Sequence, residues 1–180
     1  MNIVYEDIVL RAVEEEDLEL LKDMINDPEI EKMVGGTSFP ISSYDQRNWF
    51  EELSIRDNEL RLIIDTKEHG AIGTITMTNI DWKNRNGEIH IKIVNKKELR
   101  GKGYGTKANI GIIKYGFEQM NLYSIYGYYL EYNKVSDNSR EKFGFKIDGV
   151  LRNRIFKDNK YHNLVAWSLC KDDFDEEGMR

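Results

Sequence analysis

The stretch Arg100-Gly101-Lys102-Gly103-Tyr104-Gly105-Thr106 sets three glycines within five residues, between an apolar strand-like run and a helical one. Glycines at such a junction let the backbone take left-handed angles and approach a ligand closely. The first turn of a helix leaves its N–H groups unpaired and presents the positive end of the peptide dipole. Lys96, Lys97, Arg100, Lys102 and Lys107 crowd the segment, with Glu98 as the one acid among them. The junction therefore suits a diphosphate and points to a nucleotide-containing cofactor. Two familiar phosphate motifs do not fit. There is no Gly-x4-Gly-Lys-Ser/Thr, and the glycines run Gly-x-Gly-x-Gly after a loop, where a dinucleotide fingerprint needs Gly-x-Gly-x-x-Gly in a βαβ unit.

Hydrophobic periodicity lays out the chain on either side. Ile8 to Val13 reads as a strand, and Glu14 to Asn26 as an amphipathic helix presenting Leu18, Leu21 and Ile25, stopped by Asp27-Pro28. Ser42 or Ser43 caps a second helix through about Ile55. Strands are expected at Leu60 to Thr66, Ala71 to Ile80 and Glu88 to Val94. In the last of these, Ile89, Ile91 and Ile93 face one side, and Glu88, His90 and Lys92 the other. A helix from Gly103 to Met120, a strand from Leu122 to Leu130 and a short polar helix from Asn133 to Phe143 follow, and then a hairpin of Phe145 to Phe156 with Tyr161 to Leu169. This order predicts an α/β (α+β) fold, a mixed and mostly antiparallel twisted sheet of about seven strands flanked by about four helices, as one domain over residues 1–180.

Composition narrows the setting. Aromatic content of 11% and charge content of 32% are those of a folding chain. The longest apolar run, Leu164 to Trp167, is far too short for a membrane span, and the single Cys170 cannot form an internal disulfide. With no secretory signal visible, a cytoplasmic location is expected. The net charge of −6 hides an asymmetry: residues 1–70 hold 7 Lys/Arg against 18 Asp/Glu, the remainder 19 against 14. An acidic first part can draw a cationic substrate while a basic second part holds an anionic cofactor. An acidic chain also argues against nucleic-acid binding.

The pattern Arg-x-x-Gly-x-Gly, here Arg100, Gly103 and Gly105, resembles the signature of GNAT-superfamily N-acetyltransferases. The element order, Gly73, Asn133 and Gly144-Phe145 extend the resemblance over nearly the whole chain. Leu10-Arg11 and Val150-Leu151-Arg152 look like the subgroup of ribosomal-protein N-terminal and spermidine acetyltransferases. The resemblance implies acetyl-CoA as cosubstrate. Amides from Gly101, Lys102, Gly103, Tyr104, Gly105 and Thr106 would hold its pyrophosphate beside Arg100, with Ile93 and Val94 running antiparallel to the pantetheine arm. Asn133 would bond the pantetheine or nearby backbone, and the strand would be bulged and splayed to open a slot for the thioester. A homodimer is compatible with the family.

The implied reaction moves an acetyl group to a primary amine by direct attack in a ternary complex. The acceptor is open among a polyamine, a peptide N-terminus, an aminoglycoside and an amino sugar. At neutral pH only about one alkylamine in a few thousand is uncharged, so a carboxylate must take a proton. Glu88 is the candidate base and His90 the second. A backbone N–H near Val94 would polarise the carbonyl. Many relatives carry a thiolate-protonating tyrosine where this chain has Arg140. Arginine is no proton donor at this pH, although it can stabilise thiolate charge. Tyr128, Tyr129, Tyr132 and Tyr161 are substitutes, and the departure leaves a CoA-binding regulatory module with little or no turnover as the alternative. Trp49, Trp82 and Tyr161 are candidate pocket walls, with the final hairpin closing over.

Overall fold

A computed structural model describes residues 2–36, 39–53, 57–133 and 144–175. One sheet of eight strands organises them: β1 (Ile3–Tyr5), β2 (Ile8–Ala12), β3 (Leu60–Thr66), β4 (Gly70–Asp81), β5 (Asn86–Ile93), β6 (Ser124–Leu130), β7 (Lys146–Lys157) and β8 (Lys160–Cys170). Their order across the sheet is β1-β2-β3-β4-β5-β6-β8-β7. All pairings are antiparallel except β5 with β6. The helices are α1 (Leu18–Asn26), α2 (Pro28–Met33), α3 (Ser43–Glu51) and α4 (Tyr104–Glu118). The mostly antiparallel mixed sheet agrees with the sequence reading. The short Asn133–Phe143 helix falls on 134–143, outside the described residues.

Two elements escaped the sequence. β1 is three residues long, below the length at which alternation is informative, and it exists because Glu6 takes a left-handed φ of 51° and turns the chain back on β2. Asp27-Pro28 does stop α1, and it also opens α2. The Asp27 carboxylate accepts from the N–H of Glu29 and Ile30, and Pro28 occupies the first helical position, where a missing N–H costs nothing. Ser42 caps α3 through a reciprocal box with Asp45.

The main core lies between the sheet and α4. Ile8, Leu10, Ile64, Ile75 and Met77 meet Ala108, Ile112 and Ile113, all fully buried. Each buried aliphatic side chain contributes about 1.5–3 kcal/mol. On the opposite face Ile63, Leu21, Met24 and Ile30 form a smaller packing layer, with α1 against β4. That second face stays open towards β5, and there the polar side chains gather. No described helix is long and apolar enough to cross a membrane.

Candidate active site

The Gly101–Thr106 junction is built from bare main chain. Gly101 and Gly103 both have φ of 75°, and Gly103 in the left-handed region is the residue that caps α4. The first N–H after the turn to find a backbone acceptor is that of Lys107, to Gly103 O at 3.0 Å. Arg100 and Gly101 form a type II turn that aims the Lys102 N–H back at Leu99, and among the described residues the N–H groups of Gly103 through Thr106 find no acceptor. Space around Gly101 is open, and Tyr104 is buried edge-on against His69 with ring centroids 6.1 Å apart.

The cations around this junction are less free than their spacing suggests. Lys102 Nζ is 3.0 Å from the Glu68 carboxylate, Lys107 Nζ donates to Asp7 at 2.6 Å, and Arg100 donates to Asn95 Oδ1 at 2.6 Å. The ammonium groups hold the Asp7 and Glu68 carboxyls below their usual range, chiefly by hydrogen bonding. Both acids arrive from turns between strands of the first seventy residues. A local count that finds only Glu98 therefore understates the acid at this site.

Strand β5 supplies the second component. It pairs with β6 only over Asn86–Glu88 with Ser124–Tyr126, although both strands continue beyond. Past that ladder they part, so the expected splay is present. Ile93 pairs with Gly73, where a Cβ would lie 2.2 Å from the Lys92 carbonyl oxygen, so the close approach of β4 to β5 requires glycine there. The N–H of Val94 donates to Ile72 O at 2.9 Å and its carbonyl accepts from Lys96 N–H at 2.9 Å. The Val94 N–H is thus engaged within the sheet, while its carbonyl keeps a second lone pair. Antiparallel alternation sends the N–H and C=O of Ile91 and Ile93 to the opposite edge, towards the splay. The register shift between β4 and β5 lies at Thr78/Asp81, away from the slot.

Polar side chains fill the open face beside this edge. Cross-strand register aligns Arg61, Thr76 and His90 in one row, and Thr78, Glu88 and Tyr126 in the next. His90 Nε2 sits 3.1 Å from Thr78 Oγ1 and 3.3 Å from Glu88 Oε1, and Asn79 donates to the other Glu88 oxygen at 2.8 Å. The Glu88 side chain is 12% exposed. The His90 side chain is 46% exposed, yet partial desolvation by the packed protein around it, with repulsion from Arg61 and Lys92, sets its imidazole below its ordinary pKa against the pull of Glu88. The two acid–base candidates of the sequence reading are therefore neighbours. Tyr126, which the sequence reading passed over, lies next to Glu88, and burial raises its hydroxyl first, the Glu88 charge second. Its signal was present in the Tyr-Gly-Tyr alternation of β6, but only the parallel register shows which strand it faces.

Other expected residues scatter. Asn133 is buried, and its side chain donates to Met33 O at 3.0 Å, tying the end of β6 to α2. Tyr132 OH donates to Lys32 O at 2.6 Å, and Lys157 donates to both the carbonyl oxygen and the carboxylate of Glu31. Lys157, at the end of β7, thus ties the hairpin to α2. Tyr129 is buried, Tyr161 is exposed near the hairpin turn, and Tyr128 stands exposed on β6 beyond the ladder. Trp49 lies under the Arg61 guanidinium, 5.8 Å from its ring centre, whereas Trp82 is in the β4–β5 turn and donates to Asp57 O. Arg140 lies outside the described residues.

A glycine-made anion cradle at a helix start, a half-paired parallel strand and a carboxylate–imidazole pair beside the gap are the parts of an acyl-transfer site. The sequence profile of the acetyltransferase (GNAT) domain matches residues 7–146, and the chain belongs to this family. It is an N-acetyltransferase with acetyl-CoA as its cosubstrate. Among its relatives is YdaF of Bacillus subtilis (strain 168), provisionally named a ribosomal N-acetyltransferase, 30% identical over 97% of each chain. Spermidine N(1)-acetyltransferase of Escherichia coli (strain K12) is 25% identical over 90% of this chain and 85% of its own length. The crystal structure of spermidine N-acetyltransferase from Vibrio cholerae in complex with CoA and spermine superposes with a TM-score of 0.83, at 23% identity, over 93% of this chain and 97% of the other.

Proposed function

We propose that residues 1–180 act as one acetyltransferase domain that moves an acetyl group to a primary amine by direct attack within a ternary complex. The observation that carries this reading is the run of unengaged N–H groups at the start of α4, opening beside a splayed β5. These amides, from Gly103 to Thr106, hold the diphosphate of CoA beside Arg100. The outward edge of Ile93 and Ile91 pairs with the pantetheine arm. Acetyl-CoA brings an activated thioester to the slot, and an N–H of this same edge stabilises the charge that develops on its oxygen.

Glu88 takes the proton from the amine, directly or through His90, whose lowered pKa keeps it neutral and able to accept one. Arg140 supplies positive charge to the leaving thiolate. Of the candidate tyrosines on β6, Tyr129 is buried and Tyr128 is exposed beyond the ladder, so Tyr128 serves as donor of the thiolate proton. Asn133 contributes by fixing α2 over the cleft. The acceptor is a polyamine, a peptide N-terminus, an aminoglycoside or an amino sugar, and the protein acts in the cytoplasm, as a single chain or a homodimer.

The deciding experiment is a thiol-release screen with acetyl-CoA across these four amine classes, run beside calorimetric titration of acetyl-CoA. Turnover above background with at least one class is expected. Measurable acetyl-CoA binding with no release for any amine would instead make the chain a CoA-binding regulatory module.

A further inference from the structure

Two residues beyond His90, the polar face of β5 ends in Lys92. Its side chain is half-buried, and among the described residues nothing hydrogen-bonds or ion-pairs with its ammonium. The other inward-facing cations each hold a carboxylate: Arg11 with Asp17 and Asp65, Arg61 with Glu59, Lys107 with Asp7, and Lys157 with Glu31. Lys92 faces Thr74 across the strand, with His90 beside it, and its charged neighbours Arg61 from β3 and Lys157 from β7 repel it. The nearby acids Glu59 and Glu31 are occupied by those same two cations. A half-buried ammonium with no counterion among the described residues carries a desolvation cost that they do not offset. Burial first, and the two like charges second, depress its pKa.

Lys92 and Glu88 bracket the face. They stand four positions apart on the strand, about 13 Å between Cα atoms, with His90 midway. One end is a carboxylate suited to an amine, and the other is an ammonium suited to an anion. We infer that the acceptor is an amine that also carries an anionic group, a carboxylate or a phosphate, and that Lys92 is the residue that recognises this anion. This rests on the acetyltransfer reading and narrows its acceptor. A polyamine laid along the same face would set its second ammonium against Lys92, whose charge, unlike those of Arg61 and Lys157, no carboxylate among the described residues offsets.

The test uses the full chain and amines matched except for the anion: β-alanine against β-alaninamide, and glucosamine 6-phosphate against glucosamine, with spermidine for comparison. Thiol release gives kcat/KM, and titration onto the CoA-saturated protein gives affinity without requiring turnover. In the wild type, the anionic member of at least one pair is favoured by about tenfold or more, the carboxylate and phosphate pairs separating the two sources. Lys92→Met abolishes that preference and Lys92→Arg keeps most of it. Lys92→Met also unfolds at the same or a higher temperature, because a desolvated charge has been removed.

Equal use of both members of both pairs, or a preference for spermidine, overturns the inference. So does a Lys92→Met effect confined to the KM for acetyl-CoA, which would assign the ammonium to the cosubstrate. Absence of thiol release with every amine defeats the acetyltransfer reading instead, and the calorimetric difference within each pair still decides the role of Lys92.

Discussion

The cofactor junction and the acceptor face meet at one strand, yet they are made from different material. At the junction the groups that matter are main-chain N–H donors, placed by glycine angles at Gly101 and Gly103 and by the start of α4. On the acceptor face they are side chains from four strands, Arg61, Thr78, His90 and Tyr126 among them, aligned by register alone. The first is written in seven consecutive residues and, on the function proposed above, takes a part that every acetyl-CoA shares. The second is written across more than sixty positions, and its charges are set pair by pair. A family can keep the junction and rewrite the face, which is why fold-level likeness to spermidine acetyltransferases does not carry an acceptor with it.

The largest effect is expected where the backbone does the binding. Gly103→Asp puts a side chain at φ of 75° and a negative charge beside the diphosphate. Acetyl-CoA affinity, read by calorimetry, should fall at least about a hundredfold, from strain and charge repulsion together. Circular dichroism should show the sheet intact, since the space around Gly103 is nearly empty, with only the end of Lys107 at 3.9 Å. Unchanged affinity in a folded variant would move the diphosphate elsewhere, and the contrast between the two regions would lose its first half.

Legibility follows the same division. The strands from Leu60 to Ile93 and helix α4 could be read because their apolar periods are local, and their observed limits agree to within two residues. The junction could be read because glycine has few other reasons to recur at that spacing. What stayed hidden was whatever depends on a distant partner. Glu68 and Asp7 neutralise Lys102 and Lys107 across 34 and 100 residues of chain. The engagement of Val94 by Ile72 follows from strand pairing, which no composition shows. Glu88 and His90 could be placed on one face by alternation, but their contact with Thr78 and Asn79 belongs to β4.

On the acceptor face the larger change is Glu88→Gln. The amide keeps an oxygen to accept from Asn79 and loses only the basicity. A fall in kcat of about a hundredfold is expected, with the KM for acetyl-CoA unchanged, as removal of a general base requires. If kcat holds, another group takes the proton, and the face serves binding alone. If the KM for acetyl-CoA rises instead, the two regions are not separable and the comparison fails from the other side.

The smallest effect, and the one that sharpens the comparison most, is the pH dependence of His90→Gln. Partial desolvation and the charges of Arg61 and Lys92 hold His90 below its ordinary value of about 6.5, so it is neutral at pH 7 and takes a proton only in more acid solution. Protonation places a positive charge 3.3 Å from Glu88 Oε1, which lowers the basicity of that carboxylate. Wild-type kcat/KM should therefore fall more steeply below pH 6.5 than that of the variant. At pH 7.5 the two should differ by no more than about fivefold. Stability follows the same sign: the unfolded chain binds this proton more readily, so the wild type loses stability as pH drops through that window. His90→Gln should lose less. The pH dependence of acetyl-CoA affinity should be the same in the two proteins, because whatever titrates there, the terminal phosphate of CoA and His69 beside Lys102, is untouched by the substitution. A binding curve that changes shape on His90→Gln would tie the two regions electrostatically. Identical curves leave the titration of His90 confined to the face of side chains.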